Sequence, residues 1–371
     1  MLPVTVYRSL GLEDIYHKVM EGRRLTLEDG LRLFRCPDLV AVGGLAYEVR
    51  HRRHGTNTYY VVNQHINYSN ICVNGCLFCA FRRRKGEAGA FELTVSNIVE
   101  KVQDRLQEPI TEVHMVGGCH PELRLETFEA MLRAIRQVRP QVHIKAFTAV
   151  EIAHFARLEG LSIRDVLLRL KAAGLDMLPG GGAEVFSPRV RALLCPQKLS
   201  GEGWLQVMRE AHQLGIKSNA TMLFGHKETL EERLEHLDAL RRLQDETQGF
   251  VCFIPLPFQA KNTDVPHAQG PTGVDELKTI AVSRLMLDNI PHIKAYWVML
   301  GVKQAQVALH FGADDLDGTV VEEKIGHMAG AESESFLTRE ELEFLIREAG
   351  FHPVERNCFF EEAAAPPSCG A

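Results

Sequence analysis

Three cysteines, Cys72, Cys76 and Cys79, fall in one short stretch, Cys72-Val-Asn-Gly-Cys76-Leu-Phe-Cys79, at a C-x3-C-x2-C spacing. Thiolates are soft ligands that suit zinc or iron–sulfur clusters. A closed structural zinc site takes four ligands. Three cysteines in one loop can instead hold three irons of a 4Fe–4S cluster and leave the fourth iron open to a substrate. Gly75 lets the loop turn tightly between ligands. Phe78 stands directly before the last ligand, where its ring could cover a flat base. The same residues admit zinc, with His65, Cys36 or Cys119 as the fourth ligand. A disulfide framework fits less well, because cysteines this close together do not make a paired scaffold.

Loops and strands that carry this stretch can be read from the alternation around it. Segment 59–67 is strand-like and leads into the cysteine loop. Strands are then expected at 110–116, 142–147, 176–178, 217–223, 250–254 and 293–298, with a short segment at 313–319. Helices are expected at 94–107, 125–138, 162–173, 201–214, 229–245, 273–288 and 303–310. Strand–helix alternation implies a parallel sheet, and about eight units over ~250 residues fit a closed (β/α)8 barrel. The fold class is therefore α/β: a TIM-type barrel with an N-terminal helical lead-in and a C-terminal helical extension. The expected organisation is a helical segment at 1–57 packing on the barrel, a barrel at 58–320, and an extension at 321–371 whose tail is disordered from about 361. In such a barrel the loops after the strands carry the chemistry. Those loops hold Gly117-Gly118-Cys119-His120, Thr148-Ala-Val-Glu151, Gly180-Gly181-Gly182-Ala-Glu184 and Phe224-Gly-His226.

Parallel barrel strands usually read as apolar runs, being covered on both faces. Several here do not. Glu112, Lys217 and His143, near strand starts, are expected at wet ends. His114, Lys145, Asn219 and Thr221 are candidates to face a polar cavity, since an unpaired buried charge is costly. The basic run Arg50-His-Arg-Arg-His54 reads as a wet surface. Arg82-Arg83-Arg84-Lys85 reads either as a solvated loop or as an anion contact.

The chain has 371 residues, 45% hydrophobic content and a formal net charge of −6. That composition supports a large core and gives no electrostatic case for nucleic acid. No apolar run approaches the ~20 residues needed to span a membrane. Nine cysteines without a signal-peptide pattern suggest a reducing, cytoplasmic setting.

The cysteine spacing resembles that of the radical S-adenosylmethionine (SAM) enzymes. Longer stretches resemble the aminodeoxyfutalosine synthase family: Val113-His-Met-Val-Gly-Gly-Cys-His-Pro-Glu-Leu123, His143-Ile-Lys-Ala-Phe-Thr-Ala-Val-Glu-Ile152, Leu178-Pro-Gly-Gly-Gly-Ala-Glu-Val-Phe186 and Ser218-Asn-Ala-Thr-Met-Leu-Phe-Gly-His226. The similarity runs from about residue 10 to 355. Cys119 and Glu122 depart mildly from the family pattern. Trp297-Val-Met-Leu-Gly301 and Phe311-Gly-Ala-Asp-Asp-Leu-Asp-Gly-Thr319 are shared with dehypoxanthine futalosine cyclase and with the tyrosine-using subunit of F0 synthase.

The resemblance implies a 4Fe–4S cluster on Cys72, Cys76 and Cys79, SAM bound at the open iron, and an external electron donor of flavodoxin or ferredoxin type. It implies addition of the 5′-deoxyadenosyl radical to 3-[(1-carboxyvinyl)oxy]benzoate, with rearrangement and decarboxylation, giving 6-amino-6-deoxyfutalosine for menaquinone biosynthesis. SAM is consumed as a co-substrate. Phe78, Gly117, Gly118, Glu151, Gly180, Gly181 and Glu184 are the expected SAM contacts. A substrate with two carboxylates calls for cations and oriented donors, for which Arg82, Lys145 and Asn219 are candidates. Tyr68 is placed to pack on an aromatic ring, and Asp315 to accept a hydrogen bond. His120 and His226 are the candidate proton-transfer groups. The alternatives are the cyclase, the tyrosine-using subunit, and a metal-stabilised binding protein.

Overall fold

In the computed structural model, which describes residues 2–267 and 269–362, the strands are β1 Asn57–Val61, β2 Asn63–Asn67, β3 Glu112–Val116, β4 His143–Ala146, β5 Met177–Leu178, β6 Lys217–Phe224, β7 Phe250–Pro257, β8 His292–Ile293, β9 Asp315–Gly318 and β10 His352–Glu355. Strands β2 to β8 form a parallel sheet in sequence order. Two further parallel bridges join its edges to the β9 segment, Lys294 to Asp315 on one side and Gln64 to Val321 on the other. The sheet thus closes into the expected α/β barrel, with β9 in the eighth position.

Local sequence sets the helices between the strands. Thr94, Thr148, Thr229 and Thr338 each cap a helix through a reciprocal pair with the residue three positions on, so two orphan donors are satisfied at each start. Helix Leu125–Val138 buries Phe128, Leu132 and Ile135, an apolar stripe at helical spacing that packs on the sheet. Helix Ala149–Glu159 was not expected. Its signature was present as Thr148-x-x-Glu151, and the structure makes Glu151 the third residue of a capping box.

Segment 59–67 is not one strand. It breaks at Val62, and β1 leaves the barrel to pair with β9 and β10 in an outer three-stranded parallel sheet. Side chains pin the break. Thr319 Oγ1 accepts from Asn63 N (3.1 Å) and donates to Asn63 O (2.9 Å). Gly318 lies so close to Val61 O that a Cβ there would meet it at 2.1 Å. The C-terminal extension is likewise only partly helical: helix Arg339–Glu348 is followed by β10, hidden in the sequence by Pro353. That proline is tolerated because β10 is an edge strand. The stretch expected as strand at 293–298 turns into a short helix, Trp297–Leu300, directly after β8. The tail from 363 to 371, expected to be disordered, lies outside the described residues.

The lead-in helices pack on the outer wall. Helix Leu39–His54 lies against helix Gly273–Met286. The basic run at its end is a wet surface only in part: His51, Arg52 and Arg53 are exposed, but Arg50 is not. Arg50 is buried and donates to Asn57 O (2.7 Å) and Thr58 Oγ1 (2.6 Å). Arg53 donates to Ile290 O (2.9 Å). These guanidinium groups tie the lead-in to backbone carbonyls at the foot of the barrel. Among the described residues, no helix is long and apolar enough to cross a membrane.

Candidate active site

The cysteine loop sits where β2 ends and is held by backbone bonds from two other loops. Val73 N donates to Cys119 O (3.0 Å), Leu77 N to Leu194 O (2.9 Å) and Cys72 N to Arg83 O (3.0 Å). Asn70 turns the chain, with its Nδ2 donating to Gly89 O (2.9 Å) and its Oδ1 accepting from Phe91 N (2.8 Å). Gly118 lies under the loop, where a Cβ would stand 2.2 Å from Ile71 O. Cys72, Cys76 and Cys79 all line one cavity of about 320 Å³ that runs into the barrel.

The thiols are differently placed. The Cys119 thiol beside Cys72 and a backbone N–H hold the Cys72 thiol down to about 6. The Cys195 thiol beside Cys76 lowers that group too, against its burial. Burial pushes the Cys79 thiol up. A single zinc ion with sulfur at about 2.3 Å requires ligand atoms roughly 3.8 Å apart. Among the described residues, no three Cys, His, Asp or Glu ligand atoms at this loop come within 4.8 Å of one another. The donor set therefore suits the wider corners of an iron–sulfur cluster, each thiolate on its own iron. The trio that does meet that spacing is His54, His292 and Asp314, below the barrel. Asp314 there is already bonded to the buried guanidinium of Arg284 and to His292 Nδ1 (2.6 Å), a structural ion pair.

Glu151 and Glu184 frame the wall beside the cysteines. Glu151 Oε2 accepts from Thr148 N (2.7 Å) and Thr148 Oγ1 (2.7 Å), and Oε1 accepts from Tyr68 OH (2.6 Å) and Gly117 N (3.1 Å). Burial nonetheless pushes its pKa up to about 7. Its acceptor capacity is directed to the chain, so its placement is that of a brace for the glycine loop. Tyr68 is fully buried as the other half of that brace, with its hydroxyl also 3.2 Å from Gly118 O. Glu184 pairs with Lys198. Burial opposes the Lys198 charge, but Glu184 and the Cys76 thiolate outweigh it and hold its pKa up. Gly180 adopts φ +81°, and a Cβ there would meet Asn219 O at 2.2 Å.

At the other end the cavity meets a charged floor. Lys145 Nζ lies 2.6 Å from Glu112 Oε1, and Lys294 Nζ lies 2.6 Å from Asp317 Oδ1. Glu112 is fully buried, not at a wet strand end. His114, Asn219 and Thr221 face the same space. Register explains part of this: His65, His114 and Lys145 are direct neighbours across β2, β3 and β4, so their side chains share one level of the lumen.

Of the expected SAM contacts, Phe78, Gly117, Gly118, Glu151, Gly181 and Glu184 line the cavity, together with Arg82, Lys145 and Asn219 of the expected substrate contacts. Five other expected residues do not. Tyr68 is turned into the core. Asp315 is buried beneath the floor on Arg356 (2.5 Å). His120 accepts at Nδ1 from Glu122 N (3.1 Å) and Leu123 N (3.1 Å), and its Nε2 faces Glu92 Oε2 at 2.8 Å. The His226 side chain is fully buried, with Nδ1 2.7 Å from Glu228 Oε2. Both histidines hold turns, and neither reaches the cavity wall. Gly180 also stands behind the wall. Lys198 and Lys294 were missed, whereas Asp317, which the sequence marks with Asp315 as closing the last barrel turn, does line the cavity. Lys198 lies in an interstrand loop with no motif around it. Lys294 had a faint signal, being a charged residue inside an expected barrel strand.

Residues 66–240 match the Radical SAM superfamily model, and residues 247–368 match the model of the CofH/MqnC C-terminal region. The chain is 49% identical over 359 residues to an aminodeoxyfutalosine synthase of Thermus thermophilus, covering 96% of each chain. It is 44% identical to an aminodeoxyfutalosine synthase of Streptomyces coelicolor, covering 94% of this chain and 93% of that one.

The chain belongs to the radical SAM enzymes.

Within them it is also 41% identical to a 5-amino-6-(D-ribitylamino)uracil–L-tyrosine 4-hydroxyphenyl transferase of Methanoculleus marisnigri, covering 91% of this chain and 94% of that one. Two solved structures share the fold. Methylornithine synthase superposes with TM-score 0.74 at 19% identity, covering 91% of this chain and 96% of that one. The FeFe-hydrogenase maturase of Carboxydothermus hydrogenoformans superposes with TM-score 0.73 at 19% identity, covering 96% and 83%. Membership of the radical SAM enzymes implies a 4Fe–4S cluster and SAM. Cys72, Cys76 and Cys79 are the residues that fit the cluster, all three facing the cavity from one loop.

Proposed function

We propose that this enzyme joins the 5′-deoxyadenosyl group of SAM to 3-[(1-carboxyvinyl)oxy]benzoate and forms 6-amino-6-deoxyfutalosine, with rearrangement onto the ring and loss of one carboxyl group as bicarbonate or carbon dioxide. When bound, the cluster supplies the electron that cleaves SAM to methionine and the 5′-deoxyadenosyl radical. Cys72, Cys76 and Cys79 hold it. An external flavodoxin- or ferredoxin-type protein delivers that electron, in the cytoplasm.

The observation that carries the reading is the single cavity with cysteines at one end and lysines at the other. Leu223, Ile254, Leu256 and Phe258 give its wall an apolar face, suited to an aromatic ring and to keeping water from a radical. Arg82 and Lys198 lie by the cysteines, and Lys145 and Lys294 lie at the floor. A substrate with a carboxylate at each end finds N–H donors at each end, the two floor lysines being themselves paired with Glu112 and Asp317. The brace of Glu151, Tyr68 and Thr148 fixes the Gly117-Gly118 backbone, on which the methionine end of SAM rests. The wider match to the Thermus synthase, 49% against 41% for the tyrosine-using transferase, also supports the synthase reading. The transferase is the second reading, favoured by that 41% likeness.

The test uses reduced, cluster-loaded enzyme and SAM labelled in its adenosyl group. With 3-[(1-carboxyvinyl)oxy]benzoate the label is expected in the adduct. Recovery of the label as free 5′-deoxyadenosine rejects the synthase reading, and turnover with L-tyrosine and the ribityl-aminouracil then selects the transferase.

A further inference from the structure

We propose that the cavity floor is the seat of the substrate's ring carboxylate, and that His114 takes up one proton when that carboxylate arrives. The inference rests on the synthase reading and adds to it a subsite and a proton.

The geometry places His114 at the centre of the floor. It stands between His65 and Lys145 in strand register, with its ring 4.4 Å from that of His65. His65 is engaged through Nε2 with Asn63 (3.4 Å). The His114 ring makes no hydrogen bond to any described residue, although it lines the cavity. The Asn219 side chain, which lines the same cavity, is similar: its buried Oδ1 has no partner. Hydrogen-bonding capacity left unused in a buried place is where a polar ligand belongs.

Charge balance then requires the proton. The fixed charges of the floor cancel in pairs: Lys145 with Glu112, Lys294 with Asp317, and Arg356 with Asp315. Glu323, near His65, is matched by His327 at 3.0 Å. These are the charged groups that face the two imidazoles from β3, β4, β8, β9 and the segment after β9. No cation is left over. A carboxylate entering this neutral floor brings a buried charge with no counter-charge, which is strongly unfavourable. Burial holds His114 well below the usual imidazole range, and burial lowers His65 as well. In the empty cavity both are therefore neutral at pH 7. Protonating His114 supplies the missing cation and a donor directed at the ligand.

The test is anaerobic titration calorimetry of the cluster-loaded enzyme with 3-[(1-carboxyvinyl)oxy]benzoate, repeated in buffers of different ionisation enthalpy. Uptake of about one proton per molecule bound is expected near pH 7.5. Affinity should fall about tenfold per pH unit across the range where one proton is linked to binding. His114→Gln should abolish the uptake and bind more weakly, while His65→Gln retains the uptake. Binding without proton uptake overturns the inference and leaves the synthase reading intact, as does uptake that persists in His114→Gln. No binding of the benzoate, with binding of L-tyrosine instead, overturns both. Circular dichroism of each variant separates loss of the fold from loss of the proton.

Discussion

Gly118 shows how little freedom the cysteine loop has. A methyl group there would stand 2.2 Å from Ile71 O and 3.0 Å from Cys72 Cβ, so the segment carrying the first ligand would have to move. Gly118→Ala is expected to cost on the order of 1–3 kcal/mol and to lower the iron and acid-labile sulfide bound per chain. Unchanged metal content and an unchanged melting temperature would show that the close approach does not constrain the loop. Glu151 illustrates the same point by a different route. Its carboxylate was expected to meet SAM, yet four donors from the chain already surround it. Its buried position makes it a support for the Gly117 backbone.

Elements decide what those residues can reach. Helix Ile325–Ala329 follows β9 and brings Ile325, Gly326 and Ala329 against the cavity. It is tethered by Glu323, whose Oε1 accepts from Ile325 N (2.7 Å) and Gly326 N (2.9 Å), while Oε2 lies 3.0 Å from His327 Nδ1. The hydrogen bond to Glu323 raises the His327 pKa to about 9. The folded value lies above the unfolded one, about 6.5. The stabilisation is therefore complete below about pH 6.5 and is lost as pH rises through about 9. The melting temperature should fall over that window, and His327→Gln should remove that part of the fall. A His327→Gln profile that overlays the parent would place the pH dependence elsewhere.

For the whole molecule, closure of the barrel depends on residues from both ends of the chain. Strand β1 lies between β9 and β10. Arg356, just past β10, reaches under the lumen to Asp315, and both side chains are almost wholly buried. Removing one partner of a buried pair leaves a charge without compensation and costs about 3–5 kcal/mol. Arg356→Met should lower the urea midpoint accordingly. Arg356→Met with Asp315→Asn should recover most of the loss, because no unpaired charge then remains. Equal destabilisation by the single and double changes would mean that packing, not charge, makes the contribution. The extension after 321 is thus part of what closes the barrel from below, although it was expected to be helical and its strand carries a proline.

The order of residues alone made the cysteine loop and the architecture legible. Cysteine spacing is covalent and local, and strand–helix alternation with threonine caps acts over a few residues. The same is true of Thr148-x-x-Glu151, whose helix was legible but was read as loop. Tertiary structure alone decided which polar groups share the lumen. His65 meets His114 and Lys145 through strand register, Lys198 meets Glu184 across a loop, and Lys294 meets Asp317 only because the sheet closes at Lys294–Asp315 and Gln64–Val321. It also withdrew His120, His226, Tyr68 and Asp315 from the cavity by giving them partners elsewhere. A charge is placed by the counter-charge that compensates it, and that partner is brought near by folding, not by position along the chain.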